Sequence, residues 1–323
     1  MQRENSQTVS NHETEDLSDI VQITKATGDA LRASILHTLA DDAYGVLELG
    51  EVFTMAQPAI SHHLKVLLDA GLVTRRKEGT SVFYQRISRP SCALIQAIYE
   101  ELDQSTPDSN IEDNLLRIHE RRNQQSREFF ASHADALAQQ RELICAPDVY
   151  HDTVTDFVLH TPPLRRKRAL EVGPGSGTML LTLAEHFDQV TGIDSSPEIL
   201  RETAEQISKP NIRLIEQDFL SLTQRKNLDF ILAAMVVHHF ASPVQFFRQA
   251  SNLLQTSGLL VIAELCTHNQ EWVKDACGDL WLGFSTEELH NWAGRAGLTI
   301  LEQQHLAQRN GFGVQVMSFT SNN

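Results

Sequence analysis

Apolar positions along this chain follow two rhythms. Between residues 17 and 102 they recur at three- and four-residue steps, the spacing of helices with one buried side. Leu17, Ile20, Val21, Ile23 and Thr24 predict one helix. Leu31, Ile35, Leu36 and Leu39 predict a second, with Asp29 placed to cap it. A short helix is expected over 46–53. In the run TMAQPAISHHLKVLLDAGLV, Ile60, Leu64, Leu67 and Leu68 form one apolar stripe, and Gly71 stops the helix. Gln57, Ser61, His62 and Lys65 fall off that stripe and face outward, while His63 sits at its edge. Two strand-like runs, 73–77 and 81–87, meet at Glu78-Gly79-Thr80 and predict a hairpin. A further stripe, Ala93, Leu94, Ala97, Ile98 and Leu102, predicts a helix over 91–102.

From residue 168 the rhythm changes. Short solid apolar runs, the mark of buried strands, alternate with helical stretches, which predicts an α/β domain. Arg168 to Val172 reads as a strand that ends in the turn Gly173-Pro174-Gly175-Ser176-Gly177. A helix follows with Leu180, Leu181, Leu183, Ala184 and Phe187 inward, then a strand over 190–193 closed by Asp194. This is a strand–turn–helix–strand unit of the nucleotide-binding type. Its glycines let backbone approach a ligand, and Asp194 stands where a carboxylate can hold a ribose diol. Glu171 closes a buried strand, which is costly for an acid unless a cation such as a sulfonium or an ammonium pairs with it. Further strands are expected over 212–216, 229–234, 258–264, 299–305 and 314–320. Helices are expected over 197–207 and 243–254, and another begins at Ser285 or Thr286, where Glu288 completes a capping box.

Helix, short helix, outward polar helix and basic hairpin are the plan of a winged helix-turn-helix, mostly α with a β-wing. At 323 residues the chain has room for this domain and for a second core. The boundaries expected are a disordered tail at 1–16, the winged helix at 17–105, a helical connector at 106–150 and the α/β domain at 151–323. The net charge of −15 excludes a protein that coats nucleic acid all over its surface. Between Gln57 and Pro90, however, six basic residues (Lys65, Arg75, Arg76, Lys77, Arg86 and Arg89) stand against two acids, Asp69 and Glu78. Such a patch suits phosphate contacts. No run is long and apolar enough for a membrane span, and the N-terminus lacks a signal-peptide pattern. The four scattered cysteines form no disulfide framework and no zinc pair. A cytoplasmic protein without membrane contact is the expectation.

The pattern E-x-G-x-G-x-G at Glu171–Gly177, with the later strands in order, resembles motif I of the class I S-adenosylmethionine-dependent methyltransferases. The resemblance implies a Rossmann-like seven-stranded sheet whose last hairpin makes one strand antiparallel. It also implies a cofactor, S-adenosylmethionine or S-adenosylhomocysteine. Glu171, Gly173, Gly175 and Gly177 would lie near its amino-acid part, Asp194 at the ribose, Asp218 at the adenine amino group and Phe219 over the ring, with Ser195 also among the cofactor-binding residues. The run PAISHHLKVLLDAGLVTRRKEGTSVFYQ resembles the recognition helix and wing of the ArsR/SmtB family of bacterial repressors. By position, Gln57, Ser61 and His62 match residues presented to the major groove, with Lys65 beside them, and Arg75, Arg76 and Lys77 match the wing. The helix over 91–102 matches the one that packs against a two-fold mate, so a homodimer on double-stranded operator DNA is implied. Residues 111–145 resemble the connector of fusions between the two domain types, with their charges on a solvated face.

The metal-sensing members of that family carry a C-x-C pair where this chain has VLELGEVF. Without thiolates there, metal sensing is not expected, and no metal site is assigned. Methyl transfer needs positioning and at most one base. His238 and His239, in the loop after the fourth strand of the α/β domain, are the candidates for that base, or one of them packs over the cofactor. That loop lacks an Asn-Pro-Pro-Tyr pattern, which argues against amino-directed DNA methylation. Arsenite methylation would need Cys145, Cys266 and Cys277 to converge. Two functions follow. One is a DNA-binding regulator with an adenosyl-sulfur effector, resembling the S-adenosylhomocysteine-responsive regulators of methionine metabolism. The other is an active small-molecule methyltransferase tethered to a DNA-binding module.

Overall fold

The computed structural model describes residues 16–88, 90–160, 165–223 and 227–321. The tail expected at 1–16 lies outside them except for Asp16, as does Arg89 of the basic patch. The chain divides into two compact units, one of residues 1–76 and 83–108, the other of residues 109–323 together with the hairpin tip at 77–82.

The first unit opens with α1 (Leu17–Thr27) and α2 (Ala30–Thr38). Asp29 caps α2, its carboxylate accepting from the Arg32 N–H at 3.0 Å. A two-residue strand, β1 (Tyr44–Gly45), precedes α3 (Val46–Val52) and α4 (Gln57–Asp69). Then come β2 (Val73–Glu78), β3 (Ser81–Arg86) and α5 (Ala93–Gln104), the sheet order being β1-β3-β2. β1 is too short to show a period in the sequence; only its pairing with β3, Tyr44 opposite Tyr84, defines it. Ile35, Leu36, Leu39, Leu49, Ile60, Leu64 and Leu67 are fully buried and form the core. Leu68, the fourth member of the expected α4 stripe, is half-buried.

The stripe expected on α5 is not the one buried in this unit. Ile95 and Tyr99 face the core, and the Tyr99 hydroxyl donates to the Leu72 carbonyl. Leu94, Ile98 and Leu102 are half-buried, and Ala93 and Ala97 are exposed. Sequence spacing found an apolar face, but tyrosine's polar tip hid the second one.

The second unit begins with α6 (Ser109–Ile144) and α7 (Asp148–His160). There follow β4 (Arg168–Val172), α8 (Thr178–His186), β5 (Gln189–Asp194), α9 (Pro197–Gln206) and β6 (Ile212–Glu216). Next are β7 (Leu228–Ala234), α10 (Pro243–Leu253), β8 (Leu254–Leu265), α11 (Trp272–Cys277), α12 (Thr286–Arg295), β9 (Leu298–Ala307) and β10 (Gly313–Ser321). Seven strands pair in the order β6-β5-β4-β7-β8-β10-β9. The first five are parallel and β10 runs antiparallel between β8 and β9. This is a Rossmann-like methyltransferase sheet. The central strands read as solid apolar runs because both faces are covered: Phe230, Ile231 and Leu232 on β7 and Leu260, Val261 and Ile262 on β8 are fully buried. Ser285 and Glu288 form the expected capping box at the start of α12.

α6 is not solvated all round. Arg122 is buried, donates to the Ala241 carbonyl at 3.2 Å and lies 4.8 Å over the Trp281 ring. Its charge is used inside the domain, which alternating signs along a helix could not reveal. No helix among the described residues is long and apolar enough to cross a membrane.

Candidate functional site

Two sites can be built from these elements. On the first unit, Gln57, Ser61, His62 and Lys65 are all exposed along α4, whose other side is held down by Ile60, Leu64 and Leu67. Burying that side fixes which polar residues the helix offers. The basic hairpin is divided by strand alternation. Arg75 and Lys77 are exposed on one face of β2, while Arg76 between them is half-buried on the other. Arg86, counted in the basic patch, is buried in a two-pronged bond to Asp103, both contacts 2.8 Å, and lies 4.2 Å over the Tyr99 ring. It ties β3 to α5 and is not offered to phosphates. His63 is half-buried at the edge of the stripe.

On the second unit a cavity of about 850 Å³ opens at the carboxyl ends of the parallel strands. Gly173 leaves β4 with φ +67° and its N–H donates to the Ile193 carbonyl at 2.9 Å. A Cβ there would stand 2.8 Å from Val236, so only glycine fits. Thr203 donates to the Gly175 carbonyl at 2.6 Å and pins the loop to α9. Glu171, Gly173, Gly175, Asp194, Ser195, Asp218 and Phe219 line the cavity. Gly177, also expected there, does not: it caps α8 at φ +78° against Thr203 and Ile207, and serves the turn into the helix.

Asp194 is half-buried, with Oδ1 accepting the Ser196 N–H at 2.8 Å; Ser195 is exposed beside it. Asp218 is exposed and accepts the Leu220 N–H at 3.0 Å. Phe219 lines the cavity, but its ring is packed against Phe246 at 5.0 Å and edge-on to Phe240 at 6.1 Å. Glu171 is only 3% exposed, and its Oε2 is buried without a hydrogen-bond partner. Burial holds its carboxyl well above the ordinary carboxylate range. A cationic group in the cavity would supply the missing partner.

The opposite wall carries the two candidate bases. His238 and His239 are buried in a short 3-10 turn after β7, their rings 4.2 Å apart. His238 Nδ1 lies 2.6 Å from Glu264, whose carboxylate also accepts the His238 and Leu265 N–H groups at 3.2 and 2.7 Å. Glu264 closes the strand expected over 258–264 as Glu171 and Asp194 close theirs, a signal the sequence offered and that was not used; Asp279, in a loop, carries no local mark. Sequence reading also missed the wall made by α6, where Ser126 and Phe130 line the cavity and Phe130 meets His239 edge-on at 4.9 Å. The pair Phe129-Phe130 in a polar helix was the available signal. Met235 lines the cavity at φ +54°, a left-handed conformation costly for its side chain. Cys145 and Cys277 both line the cavity. Burial, with the Glu264 charge adding to it, pushes the Cys145 thiol up to about 12, so its position does not make a reactive thiolate.

Fold and sites define a DNA-binding winged helix joined to a class I methyltransferase domain. Residues 29–75 match the bacterial regulatory proteins of the arsR family, and residues 170–262 match the methyltransferase domain family. An uncharacterized HTH-type transcriptional regulator of Methanocaldococcus jannaschii is 42% identical over 80 residues, which are 24% of this chain and 90% of that protein. A tRNA U34 carboxymethyltransferase of Pseudoalteromonas atlantica is 28% identical over 160 residues, 46% of this chain and 50% of the relative. The match thus spans only half of that enzyme. Magnesium protoporphyrin IX methyltransferase of Synechocystis, solved with bound S-adenosylhomocysteine, superposes with a TM-score of 0.51 at 15% identity. It covers 62% of this chain and 99% of that one, and shows the fold alone. The chain belongs to the ArsR family through its N-terminal domain: it is an ArsR-type DNA-binding regulator fused to a methyltransferase domain.

Proposed function

We propose that this regulator binds operator DNA as a homodimer in the cytoplasm and that its methyltransferase domain takes S-adenosylmethionine or S-adenosylhomocysteine as an effector. One observation carries the reading: the glycine loop and α6 line the same cavity. Glu171, Asp194 and Asp218 supply acids for the ligand's cation, diol and amino group. Ser126 and Phe130 of α6 form another wall, and α6 starts a few residues after α5, the last helix of the winged-helix domain. A ligand that orders the cavity therefore acts on the segment that leads to the DNA-binding domain. Leu94, Ile98 and Leu102 on α5 and Leu17, Ile20 and Val21 on α1 remain half-buried or exposed, and supply apolar surface for the two-fold mate.

On DNA, α4 presents Gln57, Ser61 and His62 to the major groove, while Lys65, Arg75 and Lys77 meet phosphates, with Arg76 behind them. The test is fluorescence anisotropy on an operator fragment, titrated separately with each adenosyl ligand. A 5- to 150-fold change in operator affinity, about 1–3 kcal/mol of coupling, is expected. No change with either ligand would reject the effector role.

The polar wall at His238 and His239 favours a second reading, an active small-molecule methyltransferase. There the sulfonium's methyl would pass to a nucleophile, with a histidine taking the nucleophile's proton and S-adenosylhomocysteine leaving. Turnover on a methyl acceptor, with no coupling to DNA, would favour that reading.

A further inference from the structure

The cavity wall holds more than a base. Asp279, in the loop after α11, is buried and stands 3.6 Å from His238 Nε2 and 4.0 Å from His239 Nδ1. The backbone places it there: the N–H groups of Leu280 and Trp281 both donate to the His238 carbonyl, at 3.1 and 3.3 Å. One donor atom from each of His238, His239 and Asp279 lies within 4.8 Å of the others. We propose that these three residues bind a late first-row divalent cation, zinc foremost, in the wall of the cofactor cavity.

Spacing, donor type and the surroundings each support this. Ligands about 2.0–2.2 Å from a tetrahedral ion stand about 3.3–3.6 Å apart. The two separations to Asp279, 3.6 and 4.0 Å, are within a few tenths of an ångström of that, and the two histidine donors, within 4.8 Å of each other, close the rest by ring rotation. Two imidazoles and one carboxylate are the donor set of open zinc sites and of related late transition-metal sites. Magnesium and calcium, which take oxygen ligands, are disfavoured. Glu264 completes the arrangement from behind. Its 2.6 Å contact to His238 Nδ1 turns Nε2 of the same ring toward Asp279, the role of a carboxylate that orients a metal-bound histidine. All three donors line the cavity, so a fourth position is open to water or to a ligand's Lewis base. No metal is expected from the sequence because the winged helix lacks thiolates; these donors come from the other domain, with Asp279 forty residues from His239.

The three donors need neither an adenosyl ligand nor DNA to bind the ion, and the experiment uses neither. Full-length protein stripped with a chelator is titrated with zinc chloride by calorimetry and with cobalt(II) chloride by absorption. One zinc per chain is expected, with no competition from millimolar magnesium. His239→Gln and Asp279→Asn should each weaken zinc at least about 100-fold, and Glu264→Gln about 10- to 100-fold, with melting curves showing that the variants fold. The cobalt form should show visible bands without an intense thiolate charge-transfer band. That reading needs no variant, so it decides the matter if the substitutions prevent folding. Failure to take up zinc, uptake that ignores the substitutions, or a thiolate band placing the ion on Cys145 or Cys277 would overturn the site.

Discussion

The proposed DNA face and the proposed cofactor cavity present their candidate side chains in opposite ways. On the DNA face, Gln57, Ser61, His62, Lys65, Arg75 and Lys77 lie within one helix and one hairpin, each exposed because its neighbours are buried. In the cavity, walls come from residues as distant as Asn123 and Asp279, and several of the acting groups are themselves buried. A surface site is therefore separable from the core that supports it, since its residues can be changed without unpacking anything. A cavity site is not, because the proposed roles of Glu171, His238 and Asp279 fall on side chains that are themselves buried in the fold.

Mutations can sharpen or break that contrast. The largest effect is expected beneath the recognition helix. Leu64→Ala leaves a hole in the first unit's core and should cost about 2–5 kcal/mol of its stability in urea titrations. Ser61→Ala, three residues earlier on the outer face, should stay within about 0.5 kcal/mol. Equal losses would mean that the two faces are not independent.

In the cavity, Asp194→Ala removes the charged partner proposed for the ribose diol. It should weaken S-adenosylhomocysteine by about 1.5–3 kcal/mol in calorimetry. Unchanged affinity would remove Asp194 from the site.

Glu171→Gln tests the claim that function and stability are coupled. The folded-state pKa of Glu171 is raised by burial above its unfolded value. Its ionisation therefore destabilises the fold as pH rises above the ordinary carboxyl range near about 4.3 and through the folded pKa. Ligand-free protein carrying Glu171→Gln should melt higher than wild type at alkaline pH, by about 1–3 kcal/mol in stability, and should lose that advantage in acid. The same variant should bind S-adenosylmethionine, the cationic ligand proposed, more weakly. A variant less stable than wild type across the whole pH range would show that Glu171 has a partner in the folded protein.

The smallest effects are expected on the wing. Arg75→Ala and Lys77→Ala should each lower the slope of log affinity against log salt by about one unit. Gln57→Ala and His62→Ala should instead reduce discrimination between operator and random duplex. Identical behaviour of all four on both DNAs would erase the distinction between positioning and reading residues.

What could be read from sequence follows the same division. The glycine turn, the capping box at Ser285 and the strands β4 to β8 were legible because glycine conformation, helix capping and buried runs are local physics. The outward residues of α4 were legible because the helical period fixes a face. The capture of Arg86 by Asp103, and of Arg122 by Ala241 and Trp281, was not; both turn basic side chains that looked solvated into internal ties.

The sequence alone was enough for two folds and for the exposed polar face of α4, since periodicity and turn chemistry act over a few residues. Only tertiary structure decided what the cavity contains. It placed α6 and the glycine loop around one cavity, buried Glu171 with Oε2 unpartnered and carried Asp279 and Glu264 to His238. Those contacts join residues tens to more than a hundred positions apart, and no local preference encodes which strand ends will meet; the packing of the sheet and its covering helices does.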